Sequence, residues 1–151
     1  MELEKNWSAK KYRRAADKHY QTCVYLIAQI EHIDCSNQNY NYIVSNLYYL
    51  SGYILECIFK FYLLELEHKN GLYTLDEISS FGLKTHNIKD LWERQVLIKS
   101  DLRKEDYIWT DLTKNWDTFI RYESNNINPN LVKNHFNSTI KPIFEKIKNK
   151  Y

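Results

Sequence analysis

Several clusters in this sequence hold side chains able to do chemistry. Glu65-Leu66-Glu67-His68 contains Glu-x-x-His, the di-iron ligand motif of helix bundles. A di-iron site needs that motif twice and two further inward carboxylates, and here it occurs once, near a helix end. His19 and Cys23 stand four apart and could face one metal, yet no third or fourth ligand accompanies them. A core histidine beside a buried thiol is the plainer reading. Glu31-His32-Ile33-Asp34-Cys35 is dense in ligand atoms but falls at a helix end, where such groups cap and hydrate. No metal and no cofactor is expected, and no Walker A, GxGxxG, HExxH, GxSxG or zinc-ribbon pattern occurs.

Glu56 and Lys60 share a helix face at i, i+4, where a simple ion pair is worth about 0.3–0.5 kcal/mol. They interrupt the apolar run Tyr48 to Leu66, however, and an uncompensated charge there would be costly. Burial against further polar partners is therefore expected. Six of the 13 tyrosines (Tyr40, Tyr42, Tyr48, Tyr49, Tyr53, Tyr62) lie along one helix. They could stack nucleobases, but tyrosine also fills cores and subunit surfaces, its ring buried and its hydroxyl wet. Lys10, Lys11, Arg13, Arg14 and Lys18 crowd the first helix; such a face could track phosphates, though most are simply solvated.

The elements that must position these groups are helical. From Ser8 to Ile33, Tyr12, Ala16, His19/Tyr20, Cys23, Ile27 and Ile30 keep the spacing of an amphipathic helix, ended by Asp34-Cys35-Ser36-Asn37. A second helix from Gln38 to His68 is apolar on most sides and belongs at the centre of a bundle. Gly52 inside it costs about 1 kcal/mol relative to Ala, so a close approach there is expected, and Asn70-Gly71 is the expected cap. Thr74-Leu75-Asp76-Glu77 has capping-box spacing and predicts a short helix to Ser80. Phe81 to Lys84 is a turn, and Thr85 caps a helix from His86 to Val96. A fourth long helix opens at Ser100-Asp101 and reaches Tyr122, with Trp116 and Phe119/Ile120 inward. Asn128-Pro129 starts the last helix, which Pro142 should kink. No strand-like alternation, repeat or low-complexity linker is present, so the fold class is an all-α bundle of four to five main helices plus short ones.

The 151 residues are one domain's worth, and 44% hydrophobic content is ample for a core. Only 3 Gly and 2 Pro exclude a many-turned sandwich or barrel. A net charge of +2 argues neither for nor against nucleic acid. Three cysteines without CxxC spacing and no apolar leader predict a reducing cytoplasm. Glu56, Lys60 and Glu65 speak against a membrane span.

Three segments, taken in order, carry a family resemblance. Leu50-Ser51-Gly52-Tyr53-Ile54-Leu55-Glu56-Cys57-Ile58-Phe59-Lys60 is similar to the Gly-x-x-x-Glu-x-x-x-Lys helix of the HEPN superfamily (higher eukaryotes and prokaryotes nucleotide-binding domains). Thr85-His86-Asn87-Ile88-Lys89-Asp90-Leu91 resembles its following His-[Asp/Asn]-[Leu/Ile]-x-x-Leu helix start. Trp116-Asp117-Thr118-Phe119-Ile120-Arg121-Tyr122 resembles the Arg-Tyr ending of one subgroup. The match covers about Asn46 to Ile147. It implies an up-and-down bundle that often dimerises, and either of two activities. Some members are metal-independent ribonucleases using Arg-x(4–6)-His on a late helix; the Arg-Tyr subgroup supplies binding modules or partners of nucleotidyltransferases.

The chain departs from the nuclease pattern. After Arg121 the next histidine is His135, much too far along, while Arg13 and Arg14 stand at permitted spacings from His19 on the wrong helix. The paired aspartates of a nucleotidyltransferase are missing too. The resemblance thus implies a non-catalytic homodimeric module whose partner is a nucleotidyltransferase or toxin in a prokaryotic toxin–antitoxin or defence system, with nucleotide or RNA as a further ligand. Glu56, Lys60, His86, Arg121 and Tyr122 form its expected polar network. The alternatives are a ribonuclease using Arg13 or Arg14 with His19, and an immunity protein that docks on a toxin.

Overall fold

In the computed structural model, residues 7–68, 71–98, 115–122 and 127–150 are described, with backbone only at 96–98 and 121–122. Helix α1 spans Ala9–Ile30 and helix α2 spans Gln38–Glu67. Asp34 accepts a bond from the Ser36 N–H (2.9 Å) in the intervening turn, and Asn37 caps α2 by accepting from the Asn39 N–H (2.9 Å). The two helices are antiparallel: Cys23 meets Leu47, whereas Tyr12 and Arg13 meet Lys60 and Phe61.

The expected all-α bundle is what forms, with α2 at its centre. Val44, Leu47, Ile54, Leu55, Ile58, Phe59, Tyr62, Leu63 and Leu64 of α2 are all nearly or wholly buried. By length and composition α2 could cross a membrane, but 83% of its most apolar window is enclosed by the rest of the protein. Its C-terminal cap is His68, whose N–H bonds the Leu64 carbonyl, rather than the expected Asn70-Gly71; Asn70 lies outside the described residues. The left-handed glycine is instead Gly82 (φ 70°), in the turn after α3.

Helix α3, Leu75–Ser80, starts with the anticipated capping box. Thr74 Oγ1 accepts from the Glu77 N–H (3.1 Å), and the Glu77 carboxylate accepts from the Thr74 N–H (2.8 Å). Helix α4, Ile88–Ile98, begins two residues later than expected. Asn87 is its cap, Oδ1 accepting from the Asp90 N–H (3.2 Å), while Thr85 Oγ1 accepts from the Asn87 N–H (3.1 Å). His86 consequently stands in front of the helix.

Most of the expected helix from Ser100 falls outside the described residues, and its end differs from expectation. Trp116 and Asp117 are not helical, and Thr118–Tyr122 is a 3-10 helix. Asp117 causes this: its Oδ1 accepts from the Phe119 N–H (2.9 Å) and its carbonyl from the Ile120 N–H (3.2 Å), so it starts a new turn.

Helix α5, Pro129–His135, has Asn128 as cap and Pro129 in its first turn as expected. A π-helical segment, Phe136–Ile140, joins it to α6, Lys141–Lys150. Pro142 accounts for the segment: it lacks the N–H for the Ser138 carbonyl, and the ladder widens so that Lys141 N–H reaches Phe136. Tyr20 of α1 packs between Phe136 and Phe144, stacked on the latter at 4.2 Å. One contact has no sequence signal: Trp7 and Tyr73 exchange backbone bonds of 3.0 and 2.7 Å, tying the chain ahead of α1 to the α2–α3 connection.

Candidate functional site

The apolar stripe that makes α2 a core helix also carries Glu56 and Lys60 inward; they are 3% and 5% exposed. Two charges taken out of water need excellent geometry to hold their ground. Lys60 Nζ donates to Glu56 Oε1 at 2.6 Å and stands 5.7 Å from the Tyr12 ring centre, a cation–π contact from α1. The second partner of Glu56 is His86, whose Nδ1 lies 3.1 and 3.0 Å from the two carboxylate oxygens. A carboxylate only accepts, so Nδ1 carries the proton and Nε2 is the atom turned to other use. The His86 side chain is 60% exposed. A buried acid on α2 thereby orients an imidazole at the protein surface.

Aromatic rings floor the same region. Tyr53, one turn before Glu56, has His19 of α1 at 5.7 Å and His86 at 6.3 Å between ring centroids. Trp116 packs edge-on against Tyr53 at 5.2 Å, and its Nε1 donates to the Tyr49 carbonyl (3.1 Å). The Tyr49 and Tyr53 hydroxyls are 3.2 Å apart. Gly52 is what lets Trp116 in, since a Cβ there would collide with the indole. The expected close approach at this glycine is thus made by the segment before the 3-10 helix. Ile120 of that helix is buried too, so the turn carrying Arg121 and Tyr122 packs on α2. The side chains of Arg121 and Tyr122 lie outside the described residues, as does their expected place in the network.

His19 is half-buried in the α1–α2 seam, not a core residue as its periodicity suggested. Burial lowers its pKa and Lys18 beside it adds to this, against the opposing pull of Glu56. Burial pushes Tyr12 up to about 12, with nearby Glu56 adding slightly. No family model, curated protein or solved structure matches this chain. The site is therefore read from its own geometry.

Arg13 is not gathered with His19. Its guanidinium lies 5.7 Å from the Phe61 ring centre, eight residues or about 12 Å along α2 from Tyr53. Arg14, Lys10, Lys11 and Lys18 are exposed, and Lys11 stands over Trp7 at 5.0 Å. Cys23 is fully buried, its thiol reaching toward the Leu47 carbonyl (3.9 Å) and pushed by burial up to about 12. The Glu-x-x-His motif is structural: His68 stacks on Phe81 (3.7 Å), and neighbouring Glu67 takes a two-pronged bond from Arg94 (3.0 and 2.5 Å). Glu31 pairs with Lys133 (3.5 Å). Among the described residues no three His, Cys, Asp or Glu are grouped to hold a metal.

Two features lie beyond the sequence expectations: Trp116 as the lid on Gly52 and Tyr53 as the ring near two histidines. Gly52 was the available signal for the first. Nothing in the pattern pointed to the second, which depends on where α1 and the α4 entry meet α2.

Proposed function

We propose that this chain is a non-catalytic binding module of the HEPN kind. It works as a homodimer, partnered by a nucleotidyltransferase or toxin-like protein of a prokaryotic defence or toxin–antitoxin system, with nucleotide or RNA as a further ligand. One observation carries the reading: buried Glu56 joins Lys60 to exposed His86, so two of the three segments that resemble the family meet at one carboxylate. The third is brought to α2 nearby through Trp116 on Gly52. Partly buried Tyr49 and Tyr53 with exposed His86 offer aromatic and hydrogen-bonding surface of the sort a partner or a base would use. The displacement of Arg13 from His19 favours binding over cleavage.

The test is affinity capture from the native host, with His86→Ala as a comparison bait. A nucleotidyltransferase or toxin held by the wild-type chain and weakened by the variant supports the proposal. Purified protein should leave RNA intact in chelator. Metal-free degradation that His19→Ala abolishes would replace this reading with the ribonuclease one.

A further inference from the structure

We propose that His86 Nε2 is a phosphoryl-acceptor site. The proposal goes beyond the binding role above but, like it, rests on the Glu56–His86 dyad. Nδ1 is 3.0–3.1 Å from both oxygens of a carboxylate that is itself 3% exposed, so the neutral ring is held with its proton on Nδ1. The lone pair is then on Nε2, on a side chain that is 60% exposed. Among the described residues no contact to Nε2 is formed. Orientation by a buried acid is what makes an imidazole a positioned nucleophile rather than a tumbling one.

The dyad also suits the product. When Nε2 attacks phosphorus, the bond from phosphorus to the leaving group breaks and that group departs with the electron pair. With Nδ1 still protonated, the phosphorylated ring is an imidazolium, and its positive charge rests against Glu56. The phosphoryl oxygens point outward; exposed Lys84 and Lys89 flank His86 in sequence, Lys89 standing 3.9 Å from Glu93. The donor class proposed is a phosphoramidate, whose P–N bond is of the same kind as the one formed on His86; a phosphohistidine on another protein is its biological form. An acyl group would add no charge for those lysines to meet.

Potassium phosphoramidate is a direct probe, with ammonia as leaving group. His32 is an internal control: it is exposed and makes no carboxylate contact among the described residues. In the wild-type chain at neutral pH, His86 should gain an acid-labile phosphoryl group roughly tenfold faster than His32, the advantage one charge-assisted hydrogen bond supplies. Peptide mass spectrometry locates the label, and phosphorus NMR should show the Nε2 isomer alone. Equal labelling of His32 and His86, or a label on Nδ1 of His86, overturns the proposal. Glu56→Gln should bring His86 down to the His32 rate. Because that change removes a partner of Lys60, its fold is checked by circular dichroism; if the variant unfolds, the wild-type comparison decides alone. Intact partner capture with no label would sink this proposal and spare the binding role, and the converse result would do the opposite.

Discussion

His135 has the least solvent of any histidine described here, wholly buried at the end of α5 with Tyr48 edge-on at 6.2 Å. Burial lowers its pKa to about 4. The unfolded chain takes up this proton near pH 6.5 and the folded one does not until about 4, so the stability is complete above 6.5 and is lost as pH falls toward 4. The loss at this residue should be on the order of 3 kcal/mol, read from urea midpoints across that window. His135→Leu should flatten the slope. The buried pair behaves differently. Glu56→Ala should cost about 3–5 kcal/mol because Lys60 is left buried and charged without its carboxylate, whereas Glu56→Met with Lys60→Met should recover most of that loss in denaturant melts. Gly52→Ala should cost about 1–3 kcal/mol by driving a methyl into Trp116. Adding Trp116→Ala should remove that clash, so the double variant loses less than the two single losses combined.

At the scale of elements, local chemistry set some boundaries and neighbours set others. The Thr74–Glu77 box and Asn128-Pro129 were legible because each cap bonds within its own first turn. Thr74→Ala should open α3 selectively, at a cost of about 1 kcal/mol, seen as faster amide exchange over Leu75–Ser80. The start of α4 was misplaced because Thr85 and Asn87 are both competent caps; Asn87 takes the role, and His86, ahead of the helix, donates to Glu56. Pro142 announced a disturbance in the last helix. That it became a π segment rather than a bend follows from Phe136, Ile140 and Phe144 all being held in the core on either side of it.

For the molecule as a whole, α2 is the central helix, packed against α1, α4 and the C-terminal helices, and Cys23 of α1 and Cys57 of α2 itself are buried. Cys57 is raised by burial to about 12 and Cys35 is exposed. A thiol reagent should therefore titrate one cysteine at once and the other two only at the rate of unfolding, which would show α1 and α2 opening as one unit.

The chain by itself determined that α1 and α2 form, which faces they bury, and that Glu56 and Lys60 go inward, because a helix repeats its faces every few residues and an apolar stripe has one place to go. Only the tertiary structure decided that His86 would be the third member of that cluster and that Trp116 would lie on Gly52. It likewise brought Tyr53 near two histidines. Those residues are 30, 64 and 34 positions from their partners (Glu56 to His86, Gly52 to Trp116, His19 to Tyr53). No local periodicity spans such separations; they are fixed only when the helices pack.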